Sequence, residues 1–361
     1  MMKLSTLKFL YVCPLLVLFY PFVVTSISQA KNMKNQFPAV IAFGDSVLDT
    51  GNNNYIETTV KANFKPYGRD FIGGKATGRF CNGKIPSDFL AEMLGVKEAM
   101  PPYLDPHLQI EDLLTGVCFA SAGSGYDPIT IELASVLSVE DQLNMFKEYI
   151  GKLKAAVGEK KTCYILAKSL FIISMGSNDI SGTYFLASYR RFEYSVKEYA
   201  SILVNMSSNF IQELHKLGAR KIGAFGLSPV GCVPLQRTVL GGIERKCAKK
   251  VNSAAKIYNS KLASSLKALN DSFQDARIVY LENYKELNAL IHKPKKFGFK
   301  VGDSACCGVA NVELGPLCNN FALKICEDAS QYVFWDSYHP TQRTYNILAT
   351  EMLKKDIDKF L

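Results

Sequence analysis

The chain has 361 residues, is 48% hydrophobic, and carries 42 Lys and Arg against 33 Asp and Glu, a formal net charge of +9. That is enough apolar sequence for one large domain with a full core, or for two small ones at most. The basic residues are scattered among acidic ones, with Lys293, Lys295 and Lys296 the densest cluster. No basic stripe alternates with aromatics, so nucleic acid is excluded as a partner; the excess charge reads as a solvated face or, more weakly, as a means of adsorption to an acidic matrix such as a cell wall.

In chain order, Lys3 and Lys8 precede an apolar run from Phe9 to Val24, followed by small residues up to Ala30. This pattern predicts a secretory leader over 1–30, cleaved after Ala30. Pro14 and Pro21 and the shortness of the run argue against a membrane anchor, and no later stretch is long and apolar enough to span a bilayer. The mature chain, 31–361, is expected to be a single secreted domain of net charge +7, after loss of the two leader lysines from +9.

Short, non-alternating apolar runs at Ala39–Phe43, Gly116–Ala120, Ser169–Ser174, Lys221–Phe225 and Arg277–Leu281 read as strands buried on both faces. Between them lie helix-period segments. Pro86–Leu94 stops at Gly95. Val139–Val157 has Ser138 to cap it and Gly158 to close it. Ser195–Leu217 ends at Gly218, Cys247–Leu269 follows, and the last helix is expected over Gln342–Lys359. The alternation predicts an α/β fold, a three-layer α/β/α sandwich around a mostly parallel five-stranded sheet. Long loops are expected at Asp49–Lys84, Tyr126–Leu137, Gly226–Lys246 and Lys293–Ala329. Strand ends beside such loops are where a doubly wound sheet builds its site.

Of ten cysteines, Cys13 leaves with the leader. The late group Cys232, Cys247, Cys306, Cys307, Cys318 and Cys326 suits three bridges in an oxidising compartment. Neighbours Cys306 and Cys307 are poorly placed to join each other, so the expected set is Cys232–Cys247, with Cys306 and Cys307 each taking Cys318 or Cys326. Cys81, Cys118 and Cys163 are then free and expected to be buried. No C-x-x-C pair and no His at ligand spacing supports a metal, and none is expected. Sequons stand at Asn205 and Asn270; Asn270, at a predicted helix end, is the preferred glycan site, while Asn205 shares a polar helix face.

A serine hydroxyl is a weak nucleophile until a base removes its proton, and that base is usually a histidine oriented by a carboxylate. Gly44-Asp45-Ser46 directly follows the first strand. Of four histidines, His107, His215 and His292 lie in turn or charged surroundings. His339 stands on the constrained turn Asp336-Ser337-Tyr338-His339-Pro340, where Asp336 can reach its imidazole. A second tripeptide, Gly302-Asp303-Ser304, has no strand pattern in front of it and reads as part of a cysteine-rich loop. No G-x-S-x-G occurs, which disfavours the nucleophile elbow of α/β-hydrolases.

These segments resemble the plant GDSL esterase/lipase family of SGNH hydrolases, in its extracellular-lipase branch. The resemblance rests on Phe43 to Asn53, Phe119 to Gly125, Gly176-Ser177-Asn178-Asp179 and Asp336 to Pro340, in that order, with Gly78-Arg79-Phe80 and the late cysteines in accord. It implies a cofactor-free serine esterase acting on a small-molecule acyl ester or lipid. Ser46 would be the nucleophile, His339 the base and Asp336 its orienter. The backbone N–H of Ser46, the N–H of Gly123 and the Asn178 amide would receive the oxyanion. Val47 departs from the Leu of the namesake motif but does not touch the chemistry; Cys81 and Cys118 stand where the family more often has small polar residues or Asn. Rival readings are a carbohydrate O-acetyl esterase, an acyltransferase, or a catalytically silent cell-surface binding protein.

Overall fold

The structure is a computed structural model, and it describes residues 36–308, 318, 319, 321, 322 and 324–361; the expected leader lies outside these. Four strands, β1 (Val40–Gly44), β2 (Leu170–Ser174), β3 (Lys221–Phe225) and β4 (Arg277–Leu281), pair in that order, all parallel. The helices are α1 (Pro86–Met93), α2 (Ile110–Leu114), α3 (Pro128–Ala134), α4 (Val139–Lys168), α5 (Val196–Lys216), α6 (Pro234–Leu240), α7 (Lys249–Ser272), α8 (Tyr284–His292) and α9 (Gln342–Asp356).

The two-residue period of the strands sorts the core into two layers. Ile41, Phe43, Phe171, Ile173 and Ile222 face α4, α5 and α7. Val40, Ala42, Leu170, Ile172 and Leu281 face α1 and α9. Both sheet faces are thus covered, which is why the strands read as unbroken apolar runs. Helix starts follow their caps: Ser138 accepts the Asp141 N–H and Ser195 that of Glu198.

Several expectations change. The fifth strand is reduced to an extended segment beside β1, with a single parallel bridge between Ala42 and Cys118. The Cys118 and Ala120 carbonyls accept from the Asn52 side-chain amide (2.9 and 2.7 Å), and Cys118 also makes a parallel bridge to Pro102. Gly158 does not end α4; the helix kinks there (φ 78°) and continues, because Ile165 and Leu166 resume the buried stripe. Three expected loops hold structure: α3 lies within Tyr126–Leu137, α6 within Gly226–Lys246, and strand segments within Lys293–Ala329. Gly302-Asp303-Ser304 lies in one of these, Val301–Ala305, paired parallel with Tyr332–Phe334.

Disulfides join Cys232 to Cys247, Cys306 to Cys326 and Cys307 to Cys318. His292 approaches the first pair, but sulfurs joined to each other offer no thiolate for a metal. Cys81 and Cys118 are buried as expected, whereas Cys163 is exposed, on the outer face of α4. Asn205 is exposed on α5. Asn270 stands in the last turn of α7, which ends at Ser272; it is half-buried and its Oδ1 accepts the Ile278 N–H at 2.9 Å.

One buried ion pair fixes the long loop after β1. Arg79 grips Asp88 through one bidentate guanidinium edge, Nε and Nη2 (2.8 and 2.7 Å), and donates to the Thr50 and Met100 carbonyls. Removing one partner strands the other charge in a dry site. Arg79→Ala should therefore lower the unfolding free energy by about 3–5 kcal/mol in denaturant titrations. Arg79→Lys should recover little of it, since a point cation cannot match the fork.

Candidate active site

β1 ends at Gly44 with φ +139°, where a Cβ would lie 1.9 Å from the Ser174 carbonyl oxygen, so only glycine fits. Gln142 of α4 clamps this residue: its Oε1 accepts the Gly44 N–H (2.9 Å) and its Nε2 donates to the Gly44 carbonyl (3.0 Å). The chain then turns and presents Ser46 at the carboxyl edge of the sheet. Asp49, Asn52 and Asn53 bind the next segment to this turn. The Asp49 carboxylate accepts the Ala122 N–H at 2.9 Å, and the Asn53 amide donates to the Ala122 carbonyl at 2.8 Å.

Gly123 follows with φ +86°. The backbone N–H groups of Ser46 and Gly123 donate to no protein acceptor among the described residues. Asn178, just after β2, gives one amide hydrogen to the Ser124 carbonyl (2.9 Å) and keeps the other. Its neighbour Asp179 receives the N–H groups of Tyr126 and Asp127 and the Thr130 hydroxyl. The segments around Ser46, Gly123 and Asn178 are thus tied into one cluster by buried acids and amides.

Asp336 and His339 arrive from the far end of the chain. Asp336 Oδ1 accepts the N–H groups of Tyr338 (2.8 Å) and His339 (2.7 Å), which closes the turn. His339 Nδ1 lies 2.9 Å from both Asp336 oxygens, and Nε2 lies 2.8 Å from Ser46 Oγ. With its Nδ1 proton directed at Asp336, the imidazole leaves Nε2 free to accept from the serine. Ser46, Gly123, Asn178, Asp336 and His339 all line one cavity of about 520 Å³ with a mostly apolar wall.

Residues 40–352 match the family described as GDSL-like Lipase/Acylhydrolase. The chain belongs to this family. It is 49% identical over 324 residues to GDSL esterase/lipase At1g20120 of Arabidopsis thaliana, covering 90% of this chain and 81% of the relative. It is 46% identical over 350 residues to GDSL esterase/lipase EXL3 of the same plant, covering 97% and 95%. Among solved structures it is similar to a phospholipase A1 from Streptomyces albidoflavus, with a TM-score of 0.41 and 15% identity, covering 88% of this chain and 99% of that one. This GDSL chain is accordingly an enzyme of a carboxylic ester hydrolase family.

Sequence reasoning about the GDSL site missed Gln142, Tyr67 and Phe80. Tyr67 donates to Asp336 Oδ2 at 2.7 Å, and the Phe80 ring lies 5.0 Å from that of His339. Nothing in the local pattern around Tyr67 marks its long-range partner, and the resemblance at Gly78-Arg79-Phe80 does not reveal the approach of the Phe80 ring to His339.

The acids flanking the site differ in charge. Burial alone would push the Asp336 carboxyl up. The His339 ring, the Tyr67 hydroxyl and the Tyr338 N–H outweigh burial and hold it below the ordinary carboxylate range. Asp45 is fully buried; its Oδ1 accepts the Val47 N–H at 3.0 Å, and Oδ2 has no partner among the described residues. Burial pushes its carboxyl from 3.8 up to about 7, against the weaker pull of Val47 N–H and His339. Between those two values the folded chain holds a proton that the unfolded chain has released. This contribution to stability is present on the acid side and is lost as the pH rises through about 7. The melting temperature should fall between about pH 4 and pH 7, and Asp45→Asn, which carries no charge to bury, should reduce that slope in calorimetry. An unchanged slope in the variant would show that Asp45 is not its source.

Proposed function

We propose that this protein is a secreted serine esterase that cleaves acyl or lipid esters through an acyl-enzyme. The observation that carries the reading is the 2.8 Å approach of His339 Nε2 to Ser46 Oγ inside the apolar cavity. Ser46 attacks the ester carbonyl while His339 takes its proton. The oxyanion is received by the N–H groups of Ser46 and Gly123 and by the free amide hydrogen of Asn178. His339 then protonates the leaving alcohol, and water, activated by the same ring, releases the acid. Asp336 holds the ring's tautomer throughout. No cofactor enters this scheme.

An acyl rather than a sugar-borne acetyl substrate is favoured by the walls around Ser46, where Val47, Val60, Phe64, Phe80, Val230 and Leu348 line the cavity. A screen of soluble aryl esters of graded acyl length, beside acetylated glycans and acyl-acceptor alcohols, tests this. Turnover should be highest on an acyl ester longer than acetate. Preference for acetylated glycans, or transfer to the alcohol in place of hydrolysis, would instead select the corresponding rival, and the absence of any fluorophosphonate label on native protein would select the silent binder.

Secretion is supported by the Lys3–Ala30 leader pattern and by three disulfides, which persist in oxidising compartments. Protein recovered from the medium of a eukaryotic host should begin at Lys31. Asn205, being exposed, is the better glycan acceptor of the two sequons. The net positive charge favours loose retention on an acidic wall.

A further inference from the structure

One short buried hydrogen bond at the site has no part in the scheme above. The Tyr67 hydroxyl lies 2.7 Å from Asp336 Oδ2 although 269 residues separate them. Tyr67 is 3% exposed, and its ring is met at steep angles by Phe64, Phe80 and Trp335. The same stretch of chain gives Val60, Lys61 and Phe64 to the cavity wall. Asp336 Oδ1 already accepts two backbone N–H groups. On the Oδ2 side, Tyr67 and the His339 ring draw on the same oxygen.

We propose that Tyr67 is a positioning residue for the triad: its hydroxyl fixes the plane of the Asp336 carboxylate, limits the negative charge shown to His339, and ties the substrate-binding wall to the catalytic turn. This rests on the serine-esterase reading. The physical basis is competition. A donor on Oδ2 disperses carboxylate charge and weakens the bond that the imidazole N–H makes to the same oxygen. Without it, the bond from His339 strengthens and the imidazolium is better stabilised, but the carboxylate loses the contact that holds its plane.

Other titratable groups face this pair. His339, Tyr67, Tyr338, Tyr345 and Cys81 act on Asp336, and Asp45 acts on His339. Burial pushes Cys81, Tyr338 and Tyr345 up, away from the acid range. Asp45 titrates near the working range, so a pH profile alone does not isolate Tyr67. A second readout is therefore needed, one that reports the Asp336–His339 bond directly.

Tyr67→Phe keeps the ring and removes one oxygen atom. Two measurements are made: the pH dependence of kcat/KM on a soluble aryl ester, and the low-field proton resonance of His339 Nδ1–H, assigned by its loss in His339→Ala. The acid limb should move up by about half a pH unit, the resonance should move further downfield, and kcat/KM should fall about tenfold, carried by kcat. Fluorotyrosine placed at position 67, a stronger donor of nearly the same shape, should move both readouts the other way and serves if the Phe variant does not fold. A profile and resonance superimposable on the wild type overturn the proposal. So does a loss of activity with neither readout moved, which would make Tyr67 a packing anchor only. The resonance is read without substrate, so failure of ester hydrolysis in the wild type would refute the esterase reading while leaving the Tyr67 test intact.

Discussion

Ser46→Ala should abolish covalent labelling by a fluorophosphonate and reduce ester turnover on the order of 10⁶-fold. Ser46 Oγ is the only hydroxyl within hydrogen-bond reach of His339 Nε2 among the described residues. The backbone is retained in the variant, including the Ser46 N–H, and so are Gly123 and Asn178. Substrate binding should therefore change little, and a small residual rate above solvent should persist from the oxyanion donors alone. Ser46 is half-buried and among the described residues its side chain bonds only to His339, so the melting curve should be close to that of the parent. A label that survives in Ser46→Ala would place the nucleophile elsewhere and sink the assignment.

The central strands were legible because burial on both faces leaves no polar alternation: β1 to β4 each read as a short apolar run within a residue of its observed limits. Helix starts were legible wherever a serine capped them, as at Ser138 and Ser195. What failed were positions governed by distant partners. Gly158 carries the local signature of a helix stop, yet the apolar stripe beyond it pulls the chain back into α4. Val301–Ala305 contains Gly, Asp and Ser, so it lacks strand character; it pairs because Tyr332–Phe334 lies alongside. At the site, Ser46 and His339 could be found because the chemistry needs those residue types at a strand end and on a tight turn. Gln142, Arg79 and Tyr67 act through contacts 98, 9 and 269 residues away. The two longer ones leave no periodic or motif-like trace. Arg79 sits in a segment that could be recognised by resemblance, but its grip on Asp88 could not be read from it.

Asp336→Asn should lower turnover about 10⁴-fold while the protein stays folded. The direction follows from which oxygen the substituted amide keeps. Asp336 Oδ1 accepts two backbone N–H groups, from Tyr338 and His339, and these fix the turn. An asparagine must place its carbonyl oxygen there to preserve them. Its NH₂ then occupies the place of Oδ2, facing the Tyr67 hydroxyl and His339 Nδ1. A donor aimed at Nδ1 holds the imidazole in the tautomer that carries its proton on Nε2, where it points at Ser46 Oγ and cannot accept from it. The variant thus keeps the turn, the packing and the nucleophile but disables the base. Its fluorophosphonate labelling should slow in parallel with ester turnover, with melting behaviour near that of the parent. His339→Ala removes the same base outright and should lose at least as much. Full activity in Asp336→Asn would mean that the carboxylate does not set the tautomer of His339, and the 2.9 Å contacts between them would then be structural.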